Sequence, residues 1–430
     1  MNYEQALEYL ASLSRFGMNF GLFRIENLLA LMGNPERRYT TVHITGTNGK
    51  GSTTAMITAM LKAAGIKTAM YTSPHLTDYT ERMVINGQPI SRETFGEAVG
   101  YTSAFVAAMV EEGWEHPTEF EVLTAAAFYC FAAAGVEYAV VEVGLGGLLD
   151  STNVIIPCLS VITNVTLEHT DRCGSTVVEI ARHKAGIIKH GVPVITSAQG
   201  PALDVIKAVA KEKQAAIYVV GEHFSGTFEG FKENRQIVKV TTQPQTLHVE
   251  VNLLGQHQVE NAATAVMVGM RLAEKDKRVT LDAIKNGLKT VFWPGRFELF
   301  PGSPPVVLDG AHNPAGAEAL RRTIDEVFPE RKITFVLGIL ADKDVVSICG
   351  ALVRPDDIAV TVEPMSDRAA DPRIVAEKIT ASRIEVATSI TGGIEQALLL
   401  AGEKGVVCVA GSLYLIGSAR PYILSRQNHS

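Results

Sequence analysis

Hydrophobic positions along the chain alternate between short β-branched runs and longer stretches with helical spacing. The runs that predict strands lie at residues 41–45, 67–71, 138–143, 159–165, 192–196 and 217–220. The stretches that predict helices lie at 55–63, 91–135, 175–188 and 201–214. Because strands and helices alternate and the strands are almost wholly apolar, the pattern predicts an α/β fold with a mostly parallel sheet covered by helices on both faces.

The pattern changes between residues 224 and 254, where Thr, Val and Gln alternate with apolar residues. This alternation predicts a small antiparallel patch on one edge of the sheet. Helical patterns resume at 257–275 and 281–290. The segment 292–305 then holds four prolines together with Gly295 and Gly302, and such breakers predict a domain boundary.

A second series of alternating elements follows this boundary. Strands are predicted near 306–309, 332–339, 358–362 and 406–410, and helices near 315–328, 344–353, 373–382 and 393–403. The series predicts a smaller, Rossmann-like α/β domain. We therefore expect a first domain over residues 1–295 and a C-terminal domain over 296–430.

Composition narrows the class of protein. The chain has 430 residues with 39 Lys and Arg against 46 Asp and Glu, a net charge of −7, which argues against nucleic-acid or anionic-membrane partners. The sequence has no apolar run of the roughly 18 residues that a membrane span needs, and its N-terminus lacks a signal-peptide pattern. Its five cysteines are far apart and include no C-x-x-C pair, so neither disulfides nor a zinc site are indicated. We expect a cytoplasmic protein and, from the two-domain plan, a monomer.

The sharpest chemical feature is the segment Thr-Gly-Thr-Asn-Gly-Lys-Gly-Ser-Thr at 45–53, between a predicted strand and a predicted helix. Inward-facing N–H groups, a helix N-terminus and the charge of Lys50 suit a polyphosphate, and Ser52 or Thr53 could place a hydroxyl on Mg²⁺. The spacing departs from G-x-x-x-x-G-K-[ST], because Gly51 stands before the hydroxyl. The alternative is a glycine-rich turn that binds nothing.

A carboxylate, a histidine and a lysine form a second group of candidates near strand ends. Glu142 interrupts an apolar strand, so it is either a Mg²⁺ ligand or the partner of a cation on a neighbouring helix. His169 falls on the carboxyl edge of the sheet, where open α/β folds bind ligands, although a lone histidine there is more often a structural group. Lys184, taken alone, is typical of a solvated surface lysine.

The C-terminal half adds three candidates. Arg296 lies in the Pro/Gly-rich segment, where a guanidinium could bind phosphate in a fork. Asp309 and His312 follow a predicted strand in Asp-Gly-Ala-His-Asn-Pro, which places them at that strand's carboxyl end. Packing between domains and helix capping by Asn313 are the alternatives for these residues.

Taken together, these motifs resemble the folylpolyglutamate synthase / dihydrofolate synthase family of the Mur ligase superfamily, and the resemblance covers nearly the whole chain. Residues 45–52 alone indicate only the superfamily. The folate branch is indicated by Ser-Pro-His-Leu at 73–76, Glu-Arg at 81–82, Ile-Asn-Gly-Gln-Pro-Ile-Ser at 85–91, Phe-Glu at 120–121, Trp-Pro-Gly-Arg-Phe-Glu at 293–298 and Asp-Gly-Ala-His-Asn-Pro at 309–314.

The resemblance implies a P-loop ATPase domain, a smaller glutamate-ligase domain and an ATP-dependent reaction. ATP would phosphorylate the terminal carboxylate of a reduced folate such as tetrahydrofolate, or of dihydropteroate, and L-glutamate would attack the acyl phosphate to give an amide, ADP and phosphate. Such chemistry needs charge neutralisation more than covalent catalysis. The sequence leaves open whether one acceptor or both are used.

The resemblance also implies residue roles. Ser52 and Glu142 would hold one Mg²⁺, and Ser73, Glu142 and His169 a second. Lys184 matches the lysine that takes up CO₂ to form a carbamate. The positions implied for ATP are Gly46, Thr47, Asn48, Gly49, Lys50, Gly51, Ser52, Thr53, Asn261, Arg296 and Asp309. The positions implied for the acceptor and glutamate are His75, Leu76, Arg82, Phe120, Asp150, Ser151, His312 and Ser412. Of all these residues, Lys50, Lys184, Arg296, Asp309 and His312 are the catalytic candidates.

Two residues depart from the family pattern. Leu148 stands where Arg usually follows Gly-Leu-Gly-Gly, in a loop that borders the pterin side, and His183 stands where Glu commonly precedes the carbamate lysine. Three other functions are weighed against the folate ligase. They are a Mur-type ligase for another acid, a P-loop switch or kinase without ligase activity, and a binding protein descended from ligases.

Overall fold

The structure is a computed structural model that describes residues 1–17, 19, 21–168, 170, 172–243 and 245–427. It divides the chain into two compact units. The first comprises Met1–Asn252 and Val259–Val291, and the second Leu253–Gln258 and Phe292–Ser430. Among the helices in these described ranges, none is long and apolar enough to cross a membrane.

The strands and helices of the first unit follow the predicted alternation. The strands are β1 (Thr40–Thr45), β2 (Thr68–Tyr71), β3 (Met83–Ile85), β4 (Gln88–Pro89), β5 (Tyr138–Glu142), β6 (Leu159–Ile162), β7 (Val194–Thr196), β8 (Ile217–Val219), β9 (Phe224–Lys232), β10 (Arg235–Thr242) and β11 (Thr246–Val251). The helices are α1 (Tyr3–Ser12), α2 (Phe23–Leu31), α3 (Lys50–Ala63), α4 (Arg92–Glu111), α5 (Glu119–Ala133), α6 (Val177–Ala185), α7 (Gly200–Glu212), α8 (Gln256–Lys275) and α9 (Leu281–Thr290). Short 3₁₀ helices lie at Leu13–Phe16, Pro35–Arg37, Tyr79–Arg82 and Ser151–Val154.

The main sheet confirms the prediction of a mostly parallel sheet. Its strand order, within the described residues, is β4-β3-β2-β5-β1-β6-β7-β8, and only the pairings of β3 and β4 are antiparallel. One core cluster joins β2 and β5 to helices that include α4 and α5, and another joins β6 and β7 to α6 and α7. Because β5, β1 and β6 are parallel neighbours, the loops that follow them meet at one edge of the sheet.

The antiparallel segment does not lie where the sequence suggested. β9, β10 and β11 pair only with one another, as a separate three-stranded sheet in the part of the chain that is described, and not on an edge of the main sheet. β10 alternates buried and partly exposed residues, so one face needs a cover. Helix α8 covers it closely, since a Cβ on Gly226 of β9 would lie 2.8 Å from the Val259 carbonyl oxygen. With its own helix, this sheet needs no place beside the parallel strands.

The second unit contains a mixed sheet with the order β12-β13-β17-β14-β15-β16 among its described residues. The strands are β12 (Glu298–Phe300), β13 (Val306–Leu308), β14 (Ile333–Leu337), β15 (Ile358–Thr361), β16 (Arg383–Val386) and β17 (Val406–Ala410). The helices are α10 (Pro314–Val327), α11 (Val345–Leu352), α12 (Pro372–Ala376), α13 (Ile390–Ala401) and α14 (Leu413–Gln427). The pattern did not predict β12, β16 or α14, nor α1, α2, β3 and β4 in the first unit. β16 is a mostly exposed edge strand, which explains why its hydrophobic signal is weak.

Candidate active site

The glycine-rich loop predicted to bind phosphate connects β1 to α3. Gly46 and Gly49 have φ angles of +155° and +85°, and α3 begins directly afterwards at Lys50. A Cβ on Gly46 would lie 1.8 Å from Thr163 Oγ1, and one on Gly49 would lie 2.4 Å from Asn261 Oδ1. Only glycine fits at both positions, and the first amides of α3 supply the partial positive charge that favours an anion.

Lys50 closes this loop on itself. Its Nζ donates to the carbonyl oxygens of Gly46 and Thr47, each at 3.0 Å. Carbonyl oxygens are neutral partners, so a phosphate oxygen would compete with them successfully for the ammonium. Of the residues that follow, Ser52 and Thr53 are buried while Gly51 is partly exposed.

The loop after β6 forms hydrogen bonds to the glycine-rich loop at residues 45–53, which we call the phosphate loop because it is predicted to bind phosphate. The sequence did not predict these bonds. Asn164 accepts hydrogen bonds from the backbone N–H groups of Thr47 and Asn48, both at 2.8 Å, through its carbonyl and side-chain oxygens. Thr163 Oγ1 donates to the Asn48 carbonyl at 2.7 Å. The available signal was their position after the strand beside β1. His169, the predicted metal ligand of this loop, lies outside the described residues.

Lys184 is not the solvated lysine that its sequence context suggested when read alone. It is 4% exposed, and its Nζ donates to the Gly46 carbonyl oxygen at 2.7 Å. Burial, and secondarily the charge of Lys50, lowers the pKa of Lys184 to about 7. The short helix α6 carries the side chain inward because Ile180, Ala181, Lys184 and Ala185 share its buried face. Two amines therefore converge on one carbonyl of the phosphate loop.

Oxygen donors that suit Mg²⁺ occur beside this loop. Glu142 ends β5 and is 4% exposed, and its strand neighbour in β1 is Ile44. The Thr53 hydroxyl oxygen is buried and makes no hydrogen bond within the described part of the chain. A carboxylate with hydroxyls, completed by phosphate and water oxygens, is the set of ligands that Mg²⁺ prefers. The residues present thus fit the metal that the resemblance implies.

The loop from Gly144 to Asn153 contains the predicted acceptor-side residues Asp150 and Ser151, both buried. Asp150 Oδ2 accepts from the Leu145 N–H at 2.8 Å, so the carboxylate spans the loop. Burial raises the pKa of Asp150, although these hydrogen bonds act in the opposite direction. Phe120 packs against the start of the loop, since a Cβ on Gly144 would lie 2.5 Å from Phe120 Cζ.

Both departures from the family pattern lie at this loop. Leu148 is 45% exposed, and its N–H donates to the His183 carbonyl at 2.8 Å. The His183 ring packs on Gly146, where a Cβ would lie 2.4 Å from Nδ1. His183 therefore fills space against the loop, which explains why this chain accepts an imidazole beside Lys184.

The segment after β2 brings together three other predicted acceptor-side residues. Arg82 Nε donates to His75 Nδ1 at 2.9 Å, and burial together with this guanidinium lowers the pKa of His75 to about 4. The Leu76 N–H donates to a Glu81 carboxylate oxygen at 2.7 Å. Ser73 is partly exposed at the start of this segment.

The predicted residues of the second unit gather at the carboxyl ends of β13 and β17. Asp309 accepts from the N–H groups of Phe297 and Ala311, both at 2.8 Å, and burial raises its pKa against the opposing effect of Arg296. His312 Nδ1 lies 2.8 Å from the Gly310 carbonyl oxygen. Ser412 is buried at the start of α14, where its Oγ accepts from the Leu415 N–H at 3.1 Å. A Cβ on Gly310 would lie 3.4 Å from Arg296, so the guanidinium borders the Asp309 loop.

Comparison with protein families gives two matches. Residues 44–269 match the Mur ligase middle domain, and residues 295–413 match the Mur ligase glutamate ligase domain. Each matched region includes predicted site residues: Lys50, Glu142 and Lys184 lie in the first, and Arg296, Asp309 and His312 in the second.

Similar proteins and structures carry related names. The chain is 35% identical to the dihydrofolate synthase/folylpolyglutamate synthase of Bacillus subtilis, covering 97% of this chain and 98% of that one. It is 37% identical to the probable bifunctional folylpolyglutamate synthase/dihydropteroate synthase of Halobacterium salinarum over 98% of this chain. It spans only about half of that relative and of the similar one from Haloferax volcanii, 51% and 50% of their lengths.

Two solved structures of similar proteins have the same fold as this chain. Mycobacterium tuberculosis folylpolyglutamate synthase complexed with ADP and AMPPCP has a TM-score of 0.89 and 31% identity, covering 98% of this chain and 99% of that one. Escherichia coli FolC in complex with DHPP and ADP has a TM-score of 0.87 and 28% identity, covering 99% of each chain. Together, the relative from Bacillus subtilis, these structures and the two Mur ligase domains show that the chain belongs to the folylpolyglutamate synthase/dihydrofolate synthase family.

Proposed function

We propose that this protein is an ATP-dependent ligase that adds L-glutamate to tetrahydrofolate and also to dihydropteroate, through an acyl-phosphate intermediate. The observation that carries the proposal is the pair of amines, Lys50 and Lys184, on the carbonyl of Gly46 in the phosphate loop. Family membership supports the reaction class, and neighbours solved with ADP, AMPPCP and DHPP support a nucleotide and a pterin as ligands.

In this proposal the protein acts mainly by neutralising charge. Lys50 and the amides of residues 46–53 would bind the ATP phosphates, with Asn261, Arg296 and Asp309 as further nucleotide contacts. The substrate carboxylate attacks the γ-phosphorus, ADP leaves, and the amine of L-glutamate then displaces phosphate from the acyl group. Neutralisation of the phosphoryl oxygens suits this transfer.

Mg²⁺ would be held at two sites, by Ser52 with Glu142 and by Ser73 with Glu142 and His169. The buried Glu142 carboxylate supports a cation here, as does the Thr53 hydroxyl, which has no hydrogen-bond partner among the described residues. When bound, Mg²⁺ would neutralise phosphate charge.

We propose that Lys184 carries a carbamate in the active enzyme. A pKa of about 7 leaves a large fraction of its amine uncharged at neutral pH, and the uncharged amine is the form that attacks CO₂. The product replaces a buried cation with an anion, which would suit a site that holds Mg²⁺.

The remaining assignments concern substrates and organisation. The acceptor side is assigned to His75, Leu76, Arg82, Phe120, Asp150 and Ser151, and the glutamate side to His312 and Ser412. We assign ATP binding to a domain over 1–295 and glutamate ligation to one over 296–430, in a cytoplasmic monomer.

The test is phosphate release from MgATP with L-glutamate present, comparing tetrahydrofolate, dihydropteroate and no pterin, with product mass measured in parallel. Release that requires a pterin, together with products heavier by one or more glutamyl units, is expected. Omission of L-glutamate is the control, and it should abolish both signals. Release that ignores the pterin would refute the folate assignment, and turnover without any amino acid would favour a nucleotide switch or kinase.

A further inference from the structure

His43 occupies the middle of β1, the strand that leads into the phosphate loop. It is fully buried, and its Nε2 lies 2.9 Å from Oγ1 of Thr152. β1 lies between β5 and β6 in the interior of the sheet, and His43 is 0% exposed. Neither the resemblance nor the roles proposed above give this histidine a task, yet a buried polar ring on a central strand is costly unless it is hydrogen-bonded.

The direction of this hydrogen bond follows from proton counting. The Thr152 hydroxyl donates to Asp150 Oδ1 at 2.5 Å. A hydroxyl has only one proton, so it must accept from the imidazole, and His43 Nε2 must carry a hydrogen. Nδ1 has no hydrogen-bond partner in the described ranges, which is consistent with a neutral ring that holds its single proton on Nε2. Burial lowers the pKa of His43 to about 3, so this state persists at neutral pH.

Asp150 connects the Thr152 hydroxyl to both ends of the loop through hydrogen bonds. Oδ1 also accepts from the Thr152 N–H at 3.0 Å, and Oδ2 accepts from the Leu145 N–H at 2.8 Å. The carboxylate therefore joins the first and last turns of the segment from Gly144 to Asn153. Phe120 packs against the first of these turns.

We propose that His43, acting through Thr152 and Asp150, is a positioning residue that fixes the loop from Gly144 to Asn153 in the shape that receives the pterin end of the acceptor. The proposal rests on the proposed function, which assigns Phe120 and Asp150 to the acceptor side. His43 touches no substrate; it supplies one directed hydrogen bond from the sheet to the loop. Loss of that donor frees the Thr152 hydroxyl to turn away, and the loop then samples other conformations.

Two variants and a matched control test this role. His43→Leu removes the donor at similar volume, whereas His43→Gln keeps an N–H at the end of the side chain. Ser160→Ala is the control, because Ser160 is the β6 neighbour of His43, equally buried, and bonds the Ile187 carbonyl instead. In His43→Leu, we expect KM for the pterin to rise about tenfold and KM for ATP to change less than about twofold. In His43→Gln and in Ser160→Ala, KM for the pterin should stay within about threefold of the parent value.

Equal rises in both KM values, or a His43→Gln variant as impaired as His43→Leu, would overturn the proposal. A readout without catalysis keeps the inference separate from the proposed function. In His43→Leu, hydrogen exchange at the Leu145 and Thr152 amides should be faster than in the parent, and in His43→Gln it should return to the parent rate. This result is expected even if the parent protein ligates no pterin. Imidazole nitrogen NMR of the parent should show the proton of His43 on Nε2, and a proton on Nδ1 would refute the relay.

Discussion

Replacing Lys184 with methionine removes a buried amine while keeping a chain of similar length. In the unfolded chain a lysine retains its proton up to about pH 10.5, whereas Lys184 in the folded protein loses it above about pH 7. Between these values the unfolded state binds more protons at this residue, so the contribution of Lys184 to the stability of the parent protein rises with pH. The methionine variant lacks this gain.

The magnitude follows from the two pKa values. Between pH 7 and pH 9 the linkage relation gives the parent about 2 kcal/mol of additional unfolding free energy. Any advantage of Lys184→Met at pH 7 should therefore shrink by about 2 kcal/mol at pH 9. Groups that titrate identically in both proteins cancel in this difference.

The assay is urea unfolding in CO₂-free buffer at several pH values, with hydrogen exchange at β1, β5 and β6 reporting on the first unit. Lys211→Met is the control, because Lys211 is exposed on α7 and its loss should leave the pH slope unchanged. Added bicarbonate should stabilise the parent and not Lys184→Met, since only the parent has the amine. If the difference in unfolding free energy between Lys184→Met and the parent stays constant from pH 7 to 9, the lowered pKa of Lys184 is refuted.

Three further changes test other parts of the molecule. Lys50→Ala should lower ATP turnover by at least about a hundredfold in phosphate-release assays while far-UV circular dichroism stays unchanged, because the hydrogen bonds that its amine makes among the described residues go to carbonyls of its own loop. Near-normal turnover would contradict the phosphate assignment. Gly49→Ala should weaken ATP binding, measured by calorimetry, because the new Cβ would collide with the side-chain amide of Asn261 on α8. Gly65→Ala is the control: Gly65 has a similar φ and open space around it, so this change should strain the backbone alone and leave ATP affinity unchanged. Asp357→Asn should destabilise the second unit by about 2 kcal/mol in urea unfolding, because it removes the buried one of the two carboxylates, Asp357 and Asp325, that pair with Arg321. A loss below about 0.5 kcal/mol would show that Asp325 and water compensate for the missing charge.

Local patterns were sufficient for the parts of the fold that local physics dictates. The apolar strands predicted the parallel sheet. The glycines at 46 and 49 indicated a tight loop, in which a Cβ would collide with Thr163 or Asn261. The antiparallel strands were recognised by their alternation, but their place was not. A strand's own sequence tells which face is buried and does not tell which partner buries it. Here the partners are α8, which lies against β9, and α9, which contacts β11, and both follow later in the chain.

The candidate site divides in the same way. Residues whose proposed role follows from a single segment, such as Lys50 in the glycine-rich loop, could be predicted from that segment alone. Lys184 was not, because its burial depends on Gly46, 138 positions away in the sequence. Thr163, Asn164 and His43 were missed for the same reason: their roles are hydrogen bonds to distant loops, and common residue types give no sign of such bonds.

The separate sheet of β9 to β11 offers a convenient attachment point for a label. The turn at Glu233 and Asn234 is exposed and joins β9 to β10. Within the described residues, these strands share no backbone hydrogen bond with β1, which precedes the phosphate loop, or with β5, which carries Glu142 and precedes the acceptor-side loop. A fluorophore or affinity tag inserted there would alter a hairpin that is covered by its own helix. Labelled protein could then test the proposed nucleotide and pterin binding without a probe among the residues of the candidate site.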